Sequence, residues 1–268
     1  MIRVIKMDFN NRQTAEYISA LGETIDFCRE KISSSTITQN RTFEYAIILL
    51  YSRLLLTMCE IYTLLLNGYP EGAMSLWRNT YENIVITNYL FKNKCDKDLI
   101  ERFFDSVDVS AWIEDRKTLE WCSKNYPDNS ETQQKLNYVE NELRKYAVKY
   151  PEYCDAPKLK FSDYWWVRKG CNFTDLSHKT DFSKNYVYNI ASSKLHASLF
   201  SSVIYLDNTE EGILIGETEK GIETPLHFSA LNLTVATMMI NDVFPDLGLS
   251  KVIDELKKLC DEVKIISV

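Results

Sequence analysis

Five ionisable side chains sit on segments that are otherwise apolar: Arg53, Glu60, Arg78, Glu82 and His196. An arginine stays charged and can orient an oxyanion, a glutamate can take up a proton, and a histidine titrates near neutrality. Their spacing is helical. At 100° per residue, Arg53, Thr57 and Glu60 share one narrow stripe, and Arg78 and Glu82 are an i,i+4 pair beside Met74, Tyr81 and Val85. Further on, Asn185, Asn189, Ser192 and His196 recur at i, i+4, i+7 and i+11 and run into Phe200 and Val203.

Polar side chains on apolar helices need partners once buried. The three stripes are therefore expected to converge. His196, Arg78 and Glu82 are the catalytic candidates, with Arg53, Glu60, Tyr186, Asn189 and Ser192 as binding candidates. The plainer and stronger account is structural: Arg–Glu pairs between helices fix register and do nothing else. If Arg78 is buried, Glu82→Ala should cost about 3–5 kcal/mol.

Other motifs carry less. The pair Trp165 and Trp166 could stack a ligand, although core packing explains it more simply. His178 and His227 share no spacing with His196, and no H-E-x-x-H is present, so no metal site is read. Gly212, Gly216 and Gly221 fit neither G-x-G-x-x-G nor the Walker pattern, and there is no G-x-S-x-G. No cofactor is implied.

The elements that must position these residues follow from periodicity. The chain has 268 residues with only 8 Gly and 6 Pro. That shortage favours long helices over a many-turned β protein. Helices are expected over Asn11–Ile32, Phe43–Leu66, Glu71–Asn93, Asp96–Asn125, Ser130–Tyr150, Ser183–Leu206, Pro225–Val243 and Leu249–Val263. Gly68 suits a helix C-terminus, Pro70 the first turn after it, and Asp96 an N-cap. Pro151–Asp181 reads as a long ordered loop with one or two short helical turns, and residues 212–222 as a loop or a small β-hairpin. The sum is an all-α, single-domain bundle of seven or eight helices over residues 1–268, its helical core running from about 43 to 244.

The formal net charge is −7. An acidic balance disfavours a broad phosphate-binding surface, so nucleic acid is not the expected partner, though RNA stays open. Seven widely spaced cysteines without a C-x-x-C pair suit reduced thiols in the cytoplasm. Ala46–Leu66 is long enough to span a bilayer, but Arg53 and Glu60 would each cost roughly 2.5–3.5 kcal/mol at its centre. A buried core helix is the better reading, and no membrane is expected.

The stretches "AMSLWRNTYENIVITNYL", "YWWVRKGCNFTDL" and "YVYNIASSKLHAS" together resemble a bacterial family catalogued as domain of unknown function 5677. The resemblance covers roughly Phe43 to Phe244, and Arg78, Glu82, Tyr186, Ser192 and His196 are the recognisable positions. It implies a helical fold and no particular activity. Helical families of this look invite comparison with HEPN-type ribonucleases of toxin–antitoxin and phage-defence systems. Those enzymes use an Arg followed four to six residues later by a His on one helix. Here no His has an Arg at that distance, so such a nuclease would need Arg78 or Arg53 to meet His196 across helices. Two functions are thus expected to compete. One is a cytosolic ligand- or partner-binding module in a bacterial stress or defence system. The other is a metal-independent ribonuclease using His196, Arg78 and Glu82.

Overall fold

The computed structural model describes residues 9, 11–35, 39–182, 186–195 and 218–263. Helix is the dominant element, and no strand occurs among the described residues. In chain order the helices are α1 (Arg12–Ser33), α2 (Phe43–Leu66), α3 (Pro70–Lys92), α4 (Lys97–Asn125), α5 (Ser130–Lys149), α6 (Phe173–Ser177), α7 (Tyr186–Leu195), α8 (Glu223–Val243) and α9 (Ser250–Glu262). The fold is all-α. The expected hairpin near 212–222 is not supported. Residues 212–217 lie outside the described residues, and Glu219–Gly221 form a bend and turn that lead into α8.

Local chemistry sets the helix ends. The Asn11 side chain accepts from the backbone N–H groups of Gln13 and Thr14. Asp96 accepts from Leu99 N–H, and Asn129 from those of Glu131 and Thr132. Each cap satisfies donors that the first turn leaves open. At the end of α2, Gly68 adopts φ 72°. Its N–H donates to Leu65 O, and Tyr69 N–H donates to Leu64 O. This closure needs a left-handed residue, which glycine adopts without a Cβ clash. Pro70 then opens α3, where a missing N–H costs nothing.

The chain forms two compact units. The first comprises Met1–Gln39, Ile47–Phe91 and Lys184–Val268. Its core draws Tyr51, Leu54, Met58, Ile61 and Leu65 from α2, Trp77, Tyr81 and Ile84 from α3, and Leu226, Leu233 and Ile240 from α8. α9 buries Val252, Ile253, Leu256 and Leu259 along one stripe and packs on α8 and α1. Polar pins tie these helices at chosen points. Tyr51 Oη and Thr237 Oγ1 share a hydrogen bond of 2.8 Å. Asn232 Nδ2 donates to Thr80 Oγ1 at 2.8 Å, and Asn83 Nδ2 donates to Leu50 O at 3.0 Å. All five side chains named are buried, so each pairing avoids leaving a stranded polar group.

The second unit comprises Asn40–Ala46 and Lys92–Ser183. α4 and α5 form an antiparallel pair joined by the short turn through Pro127. The long loop after α5 is ordered as expected. It holds a short 3-10 turn over Ala156–Lys158, an isolated bridge between Asp155 and Lys160, and α6. Trp165 packs at tilted or edge-on angles among Tyr150, Tyr153 and Phe161, and Trp166 meets Phe103 edge-on. The two rings are 1% and 3% exposed. They are core side chains, the packing role that their sequence favours over ligand stacking.

Candidate functional site

Two polar clusters stand out, one in each unit. The first unites α3 and α7. Arg78 and Glu82 lie one turn apart on α3, and Arg78 Nε donates to Glu82 Oε1 at 2.9 Å. The same Nε–H reaches Tyr188 Oη at 3.2 Å. Tyr188 in turn donates its hydroxyl hydrogen to Glu82 Oε1 at 2.7 Å. The Arg78 guanidinium carbon stands 5.3 Å from the centre of the Tyr188 ring. A closed triangle results, backed by an aromatic line in which Tyr81 contacts both Tyr188 and Trp77, and Trp77 contacts Phe228.

The triangle is half-buried. The Arg78 and Glu82 side chains are 25% and 26% exposed, while Tyr188 is buried. Burial penalises the Arg78 charge, but the Tyr188 hydroxyl and Glu82 more than offset this and hold its pKa above the ordinary value. Burial, followed by the hydrogen bond to Glu82, raises the Tyr188 phenol. Burial also pushes Tyr81 up to about 12. At neutral pH the site therefore offers a charged guanidinium and two protonated phenols.

Arg78 is engaged through Nε alone among the described residues. Among the described residues its two Nη groups have no acceptor. A guanidinium tied through Nε and resting on a ring keeps one edge for a ligand, with two parallel N–H donors.

The other expected members are placed differently. Arg53 and Glu60 are exposed, so α2 does not turn them inward with Arg78. The reason is that α2 has more apolar residues than its buried face needs. Leu49 and Leu56 share the outer face with Arg53 and Glu60, which blurs the polar stripe in the sequence. Thr57, from the same expected stripe, is buried and donates to Arg53 O. On α7 the inward positions are Tyr188 and Ala191; Asn189 is exposed and Ser192 half-buried. Tyr186 opens that helix. His196, Asn185, Phe200 and Val203 lie outside the described residues. His178 is exposed just past α6, and the Nδ1 of His227 lies 3.1 Å from Val263 O. Among the described residues no three His, Cys, Asp or Glu side chains are grouped to hold a metal.

Tyr188 is the member that sequence reasoning missed. Tyr186 and Tyr188 flank Val187, and a helical wheel alone does not say which tyrosine meets Arg78.

The second cluster, in the other unit, was also missed. Asp105 on α4 is buried, its side chain 3% exposed. It accepts from Arg41 Nη1, from Lys149 Nζ at 2.8 Å and from Tyr150 Oη at 2.7 Å. Its neighbour Asp108 accepts from Arg41 Nη2 at 3.2 Å and from Tyr146 Oη at 3.1 Å. Lys149 also donates to Glu101 at 2.6 Å. Burial alone would raise the Asp105 pKa, but Lys149, Tyr150 and Arg41 together hold it below the ordinary carboxylate value. The pKa of Lys149 is raised by Asp105 and then Glu101. Every charge here has an opposite partner within the cluster, and the arrangement ties the segment before α2 to α4 and α5. It is a structural clamp, and the α3–α7 triangle is the candidate functional site.

No curated protein and no solved structure matches this chain. A protein family does: the match runs over residues 44–213, well over half of the chain, and takes in Arg78, Glu82 and Tyr188. The chain belongs to the family of unknown function DUF5677.

Proposed function

We propose that this chain is a ligand- or partner-binding helical module of a bacterial stress or phage-defence system, and that Arg78 is its binding group. One observation carries the reading. A charged, solvent-reachable guanidinium is fixed in place by Glu82 and Tyr188 while its terminal nitrogens have no acceptor among the described residues. A group held this rigidly loses little side-chain freedom when something binds. A thermal-shift screen of cellular metabolites, run beside affinity capture of protein partners, tests it with wild type and Arg78→Ala. The expected result is at least one compound or partner that binds wild type and loses at least tenfold in affinity with the variant. If every compound and partner binds both proteins alike, Arg78 is not the binding group and the reading falls.

The ribonuclease reading is favoured by a different observation. Arg78 and Glu82 both contact α7, whose last residue Leu195 directly precedes His196. RNA degradation by the purified protein that is lost in both His196→Ala and Arg78→Ala would support it. Equal RNA loss in wild type and His196→Ala would end it.

A further inference from the structure

We infer that the ligand presents an oxyanion, a carboxylate or a phosphate, to the Nη1–Nη2 edge of Arg78. This rests on the binding role proposed above and names the chemistry that the site would take. A planar guanidinium has two edges that can form paired hydrogen bonds, one through Nε and one Nη, the other through both Nη groups. Glu82 Oε1 and Tyr188 Oη occupy the Nε edge at 2.9 and 3.2 Å. The Tyr188 ring lies against the guanidinium, 5.3 Å from its carbon to the ring centre. Among the described residues nothing meets the end-on edge, whose two N–H bonds point the same way. Their spacing matches two oxygens on one carbon or phosphorus, and each such bond is charge-assisted.

Glu82 matters to the kind of recognition. It neutralises Arg78 in net charge, so the triangle has little long-range pull on anions. Selection then comes from the paired hydrogen bonds, which a lysine cannot reproduce with its point charge. Burial strengthens such bonds, because the Arg78 side chain as a whole is only a quarter exposed. Tyr188 and Glu82 act as positioning residues that keep the edge aimed.

The test uses the full chain with isotope-labelled arginine, following the Arg78 side-chain signal, which is assigned by its disappearance in Arg78→Lys. The probes are acetate and inorganic phosphate, with acetamide and trimethyl phosphate as neutral counterparts. Both anions should move the signal and saturate with Kd on the order of 1–10 mM, as suits fragments of four or five heavy atoms. The neutral counterparts should leave it in place. Whichever anion binds at least threefold tighter identifies a carboxylated or a phosphorylated ligand. Arg78→Lys should lose anion-induced stabilisation in a parallel thermal-shift titration, with its circular dichroism unchanged. Neutral probes that shift the signal as much as the anions would overturn the oxyanion assignment, as would full retention of anion binding in Arg78→Lys. A neutral metabolite that binds wild type but not Arg78→Ala would leave the module's binding role standing and remove the oxyanion, so the two failures are distinguishable.

Discussion

Tyr188 and Arg78 meet at one oxygen: Glu82 Oε1 accepts from the phenol at 2.7 Å and from the guanidinium Nε at 2.9 Å. That shared acceptor links α7 to α3 and fixes the guanidinium in two directions. Tyr188→Phe keeps the ring and removes the hydroxyl. We expect a loss of about 1.5–2 kcal/mol in urea unfolding, the low end of the usual range for a hydrogen bond to a charged group, because Glu82 is part-exposed. An unaltered midpoint and slope would mean that the hydroxyl is not engaged.

Glu82→Ala should cost about 1–2 kcal/mol, less than the 3–5 kcal/mol expected for a fully buried pair. The difference comes from exposure, because water reaches a quarter of the Arg78 side chain and can solvate it once Glu82 is gone. A loss of 4 kcal/mol or more would show that Arg78 is far drier than its exposure implies.

Asp105→Asn should be the more damaging of the two carboxylate substitutions. It removes the charge that Arg41 and Lys149 share and weakens the acceptor for the buried Tyr150 hydroxyl. We expect roughly 2–3 kcal/mol, since both cations can turn to water but Tyr150 cannot. Denaturant melts monitored at the tryptophans of the second unit would read it. A change within error would dissolve the clamp.

The same residue gives a pH dependence. The folded pKa of Asp105 is depressed, so its ion pairs stabilise the protein fully above the unfolded value of about 4. Below that value the unfolded chain binds the proton first, and the stabilisation fades until the folded carboxyl is also protonated. The stability gap between wild type and Asp105→Asn should hold constant from neutral pH to about 5 and narrow below 4. A gap that widens with acid would have the wrong sign.

Thr80 and Asn232 form a buried hydrogen bond between α3 and α8 at 2.8 Å. A double-mutant cycle with Thr80→Val and Asn232→Leu should return a coupling of about 0.5–1.5 kcal/mol. Strict additivity would mean that the amide finds another partner when Thr80 is gone.

Much of the architecture was legible before any coordinates. Asp96 and Gly68 mark helix ends by chemistry that acts over a few residues, and the structure keeps both. The periodicity of α9 suffices to define its buried stripe, and the order of the long loop follows from its aromatic content. The i,i+4 relation of Arg78 and Glu82 is likewise local, because helix geometry alone brings those side chains together.

The rest needed the tertiary structure, for one physical reason. A helix wheel gives the angle between side chains on one helix but not the rotation of that helix against its neighbours. α2 is apolar nearly all round, so its sequence did not reveal that Arg53 and Glu60 would face outward beside Leu49 and Leu56. On α7 a rotation of one residue put Tyr188, rather than Asn189, against Arg78. The Asp105 clamp joins residues 41, 105 and 149, and no local pattern encodes a meeting across such separations. Sequence alone therefore determined the long helices among the described residues, the helix ends at Asp96 and Gly68, and the Arg78–Glu82 pair. Only packing between helices decided which phenol completes that pair and which carboxylate goes into the core.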